Sequence, residues 1–239
     1  MGRGAGPCPG HTWGGRNPAG FAIARRFLLV RHAESAWNAE GIYQGRLESD
    51  LSPLGERQAL ALGSRLASRK LVAVYTSPLR RAVRTAELVA NAGLPHPNPR
   101  PLQRARELAE IDHGDWSGLT RAQVAHKWPE LAEQWRTAPG DVTMPGGESL
   151  ADVRRRALAF LAAIRQEHAD GDILAVTHGT VLRLLLAHFL DMRPDQIWSI
   201  EAENCALSIV DDYEIPLIMA INDTCHLEGV RSSLSAQVR

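Results

Sequence analysis

Three short apolar runs, each closed by a polar residue and each followed by a helix-start signal, constrain the fold of this chain more than any other feature. Phe27-Leu28-Leu29-Val30 runs into Arg31-His32, Val72-Ala73-Val74-Tyr75-Thr76 into Ser77-Pro78, and Asp172-Ile173-Leu174-Ala175-Val176-Thr177 into His178-Gly179. Runs this short and this continuous suit strands buried on both faces. Helices are predicted between them. Ser52-Pro53 offers an N-cap and a proline for the first helical position, with Ala59, Leu62, Leu66 and Ala67 on one stripe. Ser77-Pro78 repeats the signal, and Leu79, Ala82, Val83, Ala86, Val89 and Ala90 recur at helical spacing. Ser149 with Asp152 reads as a capping box ahead of Leu150, Val153, Ala157, Leu161 and Ile164. Gly179 to Leu190 follows the third strand, and 206–210 and 215–221 read as a closing pair of strands. The expected class is α/β, a three-layer α/β/α fold with an open, mainly parallel central sheet.

The remaining segments break this rhythm. Pro95, Pro97, Pro99 and Pro101 stand at alternate positions, which no regular element tolerates. Thr120 to about Trp135 is helical in pattern but polar, and Pro139 to Gly147 is a second loop. Residues 1–26 hold four arginines, seven glycines and no acid, without an amphipathic pattern or a long apolar run. The expected organisation is a flexible extension over 1–26, one domain over 27–225 and a tail over 226–239.

Composition bounds the partners. Basic and acidic residues number 27 each, so the chain carries no net charge to draw it to nucleic acid or a membrane surface. All but Lys70 and Lys127 of the basic residues are arginine, so each arginine is weighed by its position. Cys8, Cys205 and Cys225 are odd in number and lack metal-ligand spacing, which points to a reducing compartment. No apolar stretch is long enough to span a bilayer. The expectation is a cytoplasmic protein with a small-molecule partner, neither nucleic acid nor membrane, and with a homodimer left open.

Ligands of open α/β sheets bind beyond the carboxyl ends of the strands. Arg31-His32, Ser77 to Arg81 and His178 all fall at that edge. Singly, each has a structural reading: a histidine at a strand end is more often a satisfied core residue, and an arginine in a first helical turn a solvated one. Their coincidence at one edge argues for a site.

Leu29-Val30-Arg31-His32-Ala33-Glu34-Ser35 resembles the signature segment of the histidine phosphatase superfamily, the group that holds cofactor-dependent phosphoglycerate mutases and many small-molecule phosphatases. The resemblance continues in order through Trp37-Asn38, Tyr43-Gln44-Gly45-Arg46, Leu51-Ser52, Ser77-Pro78-Leu79-Arg80-Arg81-Ala82, Glu110-Ile111-Asp112-His113-Gly114-Asp115-Trp116, Gly146-Gly147-Glu148-Ser149 and Val176-Thr177-His178-Gly179. It covers roughly 27–221, with one departure, Ala33 where the family usually has glycine.

The resemblance implies a metal-independent phosphomonoesterase without a cofactor. His32 is the nucleophile that forms phosphohistidine, Glu110 the proton donor to the leaving alcohol, and His178, protonated, a stabiliser of equatorial oxygens. Arg31 and Arg81 hold the phosphoryl oxygens by charge-assisted forks, with Asn38, Ser35, Gln44 and Gly45 completing the phosphate-binding set. Glu107 and Asp112 are the competing candidates for the acid. His113, His126, His168 and His188 are expected to be structural or on the surface, and Arg154-Arg155-Arg156 to be a solvated face. Trp128, Trp135 and Met144 are expected to pack chiefly on one another. Mutases of the family carry a long insertion after the Glu110 segment and a paired arginine. The roughly 30 residues between Gly118 and Gly147 are short for such a lid, which favours a phosphatase; a mutase and a silent phospho-ligand-binding relative stand as alternatives.

Overall fold

The structure is a computed structural model and describes residues 25–93 and 102–232. The expected 1–26 extension lies outside the described residues except for Arg25 and Arg26, as does the proline-rich loop except for Leu102.

Six strands form one sheet: β1 (Arg25–Arg31), β2 (Leu71–Thr76), β3 (Gln103–Arg104), β4 (Asp172–Thr177), β5 (Leu207–Asp212) and β6 (Leu217–Asp223), in the order β3-β2-β4-β1-β5-β6. The first four are mutually parallel, while β5 is antiparallel to both β1 and β6. The sheet is therefore mainly parallel, as the strand and helix rhythm requires.

Both faces of the central strands are covered, which explains their unbroken apolar runs. Leu28 and Val30 of β1 share one core with Leu174 and Val176 of β4 and with Ala59, Leu62, Ala82 and Ala86. The last four come from the helices α2 (Pro53–Leu66) and α3 (Arg80–Gly93). Phe27 and Leu29 turn the other way, joining Ile173 and Ala175 against α6 (Leu150–Glu167) and α7 (Gly179–Phe189). Alternate residues of one strand thus serve opposite layers.

Local signals account for the helix starts. Ser52 caps α2 by accepting from the Gly55 amide, with Pro53 at the first position. Ser149 and Asp152 make the expected capping box at α6. The polar helix read over 120–135 is in fact two, α4 (Arg121–Lys127) and α5 (Pro129–Thr137), parted at Trp128-Pro129 because the residue before a proline is pushed out of the helical region. A five-residue helix, α1 (Ala36–Glu40), went unpredicted. Residues 226–232 pack on the domain: Gln58 donates to the Val230 carbonyl at 3.0 Å, and Arg231 pairs with Glu203 at 2.5 Å. Cys205 is a buried free thiol.

Candidate active site

Register places the chemistry. Arg31 pairs with Thr177 across β1 and β4, and Thr76 with Val176 across β2 and β4, so the next residues, His32, His178 and Ser77, emerge side by side at the carboxyl edge. The His32 amide donates to Thr177 O at 2.8 Å and the Ser77 amide to Val176 O at 2.9 Å, which extends the sheet pattern into the site. The two histidine rings lie 4.9 Å apart between centroids.

His32 is almost fully buried. Its Nδ1 lies 2.7 Å from the Ala33 carbonyl. A carbonyl can only accept, so Nδ1 carries the proton and Nε2 holds the lone pair. Burial, followed by the charges of Arg81 and Arg31, holds its pKa well below the usual 6.5. The neutral ring is favoured, with its lone pair on Nε2. Arg81 Nε approaches that nitrogen at 3.3 Å while its other nitrogens donate to the Leu47 and Gly45 carbonyls at 2.8 and 2.7 Å. Those carbonyls fix the fork. Arg81 is 1% exposed, and burial lowers its pKa to about 10, with Glu110 acting in the opposite sense.

Arg31 donates through Nη1 to Ala202 O at 2.8 Å, and its buried Nε has no partner. An orphaned, desolvated guanidinium donor is costly unless an anion satisfies it. Ala33, in place of the usual glycine, keeps a negative φ and donates its amide to Thr85 Oγ1 at 3.0 Å, so the alanine introduces no strain. Gly55 is the position nearby that admits no side chain: a Cβ there would stand 2.0 Å from the Glu34 carbonyl.

A pocket of about 640 Å³ opens over these groups. His32, Arg31, Arg81, Glu110, Asn38, Gln44 and Gly45 all line it, whereas Glu107 and Asp112 do not. The structure thus brings Glu110, and neither rival, to the pocket beside His32, Arg31 and Arg81. Glu110 Oε1 accepts from the Ile111 amide at 2.9 Å.

Some expected residues do other work. Ser35 is buried outside the lining, its hydroxyl bound to Gln44 Nε2 at 2.8 Å and capping α1. The Gln44 amide in turn accepts from Ser49 Oγ at 2.7 Å, so it braces the loop that presents Gly45. Asn38 Oδ1 accepts from the Ser35 amide and hydroxyl, which leaves Nδ2 as its donor. His178 is fully buried behind the lining, its Nε2 lying 2.7 Å from Ser77 Oγ and its Nδ1 unpartnered. Burial and the neighbouring cations push its pKa well below 6.5.

Two residues read as bland lie at the candidate site. Arg156 is no solvated side chain: it donates to the Glu107, Ala109 and Glu110 carbonyls, the last at 3.1 Å, and pairs with Glu148 at 3.0 Å. His113 lines the pocket, and burial lowers its pKa to about 4. Sequence reasoning also missed Arg183, Arg121 and Trp198, which line the outer pocket. Only the position of Arg183 one turn beyond His178-Gly179 could have flagged any of them. Of the tentative aromatic set, Met144 is core, while Trp135 is buried against Trp116 and Trp198 and still reaches the pocket.

The model of the histidine phosphatase superfamily (branch 1) matches residues 27–218. The chain belongs to this superfamily. Phosphoserine phosphatase 1 of Hydrogenobacter thermophilus is 37% identical over 203 residues, 84% of this chain and 94% of that protein. The metal-independent phosphoserine phosphatase of Arabidopsis thaliana is 37% identical over 160 residues, 66% of each chain. The solved structure of YhfR from Bacillus stearothermophilus superposes with a TM-score of 0.78 at 32% identity, covering 85% of this chain and all of that one. The protein is accordingly a phosphoric monoester hydrolase of the histidine phosphatase family. No helix among the described residues is long and apolar enough to cross a membrane.

Proposed function

We propose that this phosphatase hydrolyses small phosphorylated metabolites through a phosphohistidine on His32. The observation that carries the reading is the His32 ring: one nitrogen is locked as a donor to the Ala33 carbonyl, and the other is neutral and ringed by cations. A phosphoryl dianion bound by Arg31 and Arg81 is attacked by Nε2. The bond from phosphorus to the alcohol oxygen breaks as the Glu110 carboxyl protonates that oxygen. Positive charge spreads to Nδ1–H and strengthens its hydrogen bond to Ala33. Water, deprotonated by the Glu110 carboxylate, then attacks phosphorus, releasing inorganic phosphate and regenerating neutral His32. Asn38 Nδ2 and the Gly45 turn add neutral donors. The unpartnered Nδ1 of His178 is the group an equatorial oxygen satisfies, and the anion's charge favours protonation of that ring on binding. Guanidinium groups already meet the phosphoryl charge, so no step calls for a metal.

We also place the protein in the cytoplasm, with a free phosphate ester rather than nucleic acid as its partner and either one or two copies as the working unit. The test is a brief exposure to labelled phosphomonoester followed by acid and base challenge. Acid-labile, base-stable label is expected on His32, absent together with turnover in His32→Ala, and EDTA is expected to leave the rate unchanged. Label persisting in the variant, or a loss restored by a divalent ion, would overturn the reading.

A further inference from the structure

The backbone of His32 is gripped from two layers of the fold. The peptide that joins His32 to Ala33 offers its carbonyl to Asn204 Nδ2 at 2.9 Å and its amide to Thr85 Oγ1 at 3.0 Å. Thr85 stands on α3, one turn beyond Arg81, whose carbonyl accepts from the same hydroxyl at 2.7 Å. Asn204 comes from the loop 200–206 that leads into β5. Both side chains are buried, and neither lines the pocket.

Holding that peptide bears on the ring. His32 Nδ1 meets the carbonyl of the following residue, Ala33, at 2.7 Å, so a rotation of the intervening peptide carries that carbonyl away from the ring. A carbonyl only accepts, so the atom of Asn204 that faces His32 O is nitrogen, and its second hydrogen points to Asn38 Oδ1 at 3.3 Å. One planar amide thus touches the backbone of His32 and a neutral donor of the pocket. Asn38 Oδ1 also accepts from the Ser35 amide at 3.1 Å, so its orientation survives the loss of Asn204.

The loop is shaped for this grip. Cys205 adopts φ 58°, a left-handed conformation that a cysteine takes only when its surroundings impose it, and in it the Cys205 amide donates to Arg31 O at 3.0 Å. Ala202 O receives Arg31 Nη1 at 2.8 Å. Glu203, between them, is tethered in turn: its amide donates to Asn222 Oδ1 at 2.8 Å, and its carboxylate pairs with Arg231.

We propose that Asn204 is a positioning residue for the reaction, pinning the His32-Ala33 peptide against Thr85 so that the Nδ1 bond to the Ala33 carbonyl persists and Nε2 stays aimed at phosphorus. Its effect on turnover rests on the phosphohistidine reading.

Turnover of p-nitrophenyl phosphate and long-range proton–nitrogen correlation spectra of histidine-labelled protein test this, the His32 signals being identified by their loss in His32→Ala. The wild-type ring should show the Nδ1–H tautomer. Asn204→Ala should lower kcat per folded molecule by about 10- to 100-fold with a much smaller rise in KM, and should turn His32 into a mixture of tautomers. Thr85→Val, which removes the acceptor on the other side of the same peptide at nearly constant volume, should give the same signature. The loss in the double variant should fall short of the product of the single losses, because both act on one peptide. Asn204→Gln, which keeps both amide hydrogens on a longer arm, should recover part of kcat. Losses that multiply, or kcat and tautomer unchanged in the variants that fold, would overturn the proposal. So would a wild-type ring protonated at Nε2, a result that decides even if every variant fails to fold. The spectra report the ring whether or not it is phosphorylated. A tautomer shift in Asn204→Ala with label persisting in His32→Ala would therefore sink the phosphohistidine reading and leave the pin standing.

Discussion

The site divides its carboxylates and histidines by what each can reach. Glu110 lines the pocket with one oxygen bound to the Ile111 amide, while Glu107 and Asp112 are held outside it. If Glu110 gives the alcohol its proton, Glu110→Gln should lower kcat on alkyl phosphates by about 10²- to 10⁴-fold. The loss on p-nitrophenyl phosphate should be much smaller, because that leaving group departs without protonation. Equal losses on both esters, measured by phosphate release, would remove Glu110 from the role. The residues gathered at the candidate site were readable in the sequence because they cluster at strand ends in fixed order: His32 after β1, Arg81 after β2, His178 after β4. His113 and Arg183 were not readable. A histidine three residues past Glu110, or an arginine in an apolar helix, shows nothing in sequence of the cavity it faces, and here both are buried against pocket walls assembled from distant segments. Ser35 failed in the opposite direction, since a serine at a signature's end serves equally as a ligand donor or as an N-cap, and only the Gln44 contact decides.

Elements hold these residues still, and α6 does so from a distance. Arg156 ties three carbonyls of the Glu110 segment and anchors itself on Glu148, which also accepts from Arg46 at 2.8 Å and from the Asp112 amide at 3.0 Å. Arg156→Ala strands those acceptors and should cost about 2 to 4 kcal/mol in urea unfolding. It should also shift the turnover of alkyl esters more than that of p-nitrophenyl phosphate, the same signature as loss of the acid. Arg156→Lys, with one point charge for a five-donor fork, should recover little of either. A variant of unchanged stability and unchanged leaving-group dependence would show the clamp to be idle. The cover of the pocket is the other element that bears on outcome: among the described residues, the helices over it are α4 and α5, of seven and nine residues. A cover this small should let water reach the phosphoenzyme, so interconversion of 2- and 3-phosphoglycerate with added 2,3-bisphosphoglycerate should be negligible beside phosphate release. A mutase rate without matching phosphate would reverse that. The strands and long helices were visible from periodicity and caps because burial on two faces and serine-proline starts leave strong local traces. The break at Trp128-Pro129 was written in the proline but masked by the helical pattern on either side, and two-residue β3 is specified by pairing with β2, not by its own sequence.

Across the whole molecule, the active site imposes a stability cost that pH exposes. His32, His178 and His113 are buried neutral in the folded protein, the first two with pKa values well below 6.5 and the third at about 4, in each case chiefly because burial penalises the imidazolium. Unfolding returns all three to water and an ordinary pKa of 6.5. Below that pH the unfolded chain binds protons that the folded chain refuses, so stability rises with pH through this window and is lost as pH falls from 6.5 toward 4. Each such histidine contributes a slope of about 1.4 kcal/mol per pH unit once pH is well below 6.5, and the three together about 4 kcal/mol per unit. Urea unfolding at pH 7.5, 6.5, 5.5 and 5.0 should therefore show a nearly level free energy above 7 and a steep decline below 6. His113→Gln should make that decline shallower, since it removes one of the contributing groups while sparing His32. Saturating inorganic phosphate should flatten it further, because an anion between Arg31 and Arg81 lets His178 accept its proton in the folded state as well. A free energy that stays level from pH 7.5 to 5.0 would mean that the histidines are not held neutral, and the picture of His32 as a neutral nucleophile kept ready by burial and two arginines would fall with it.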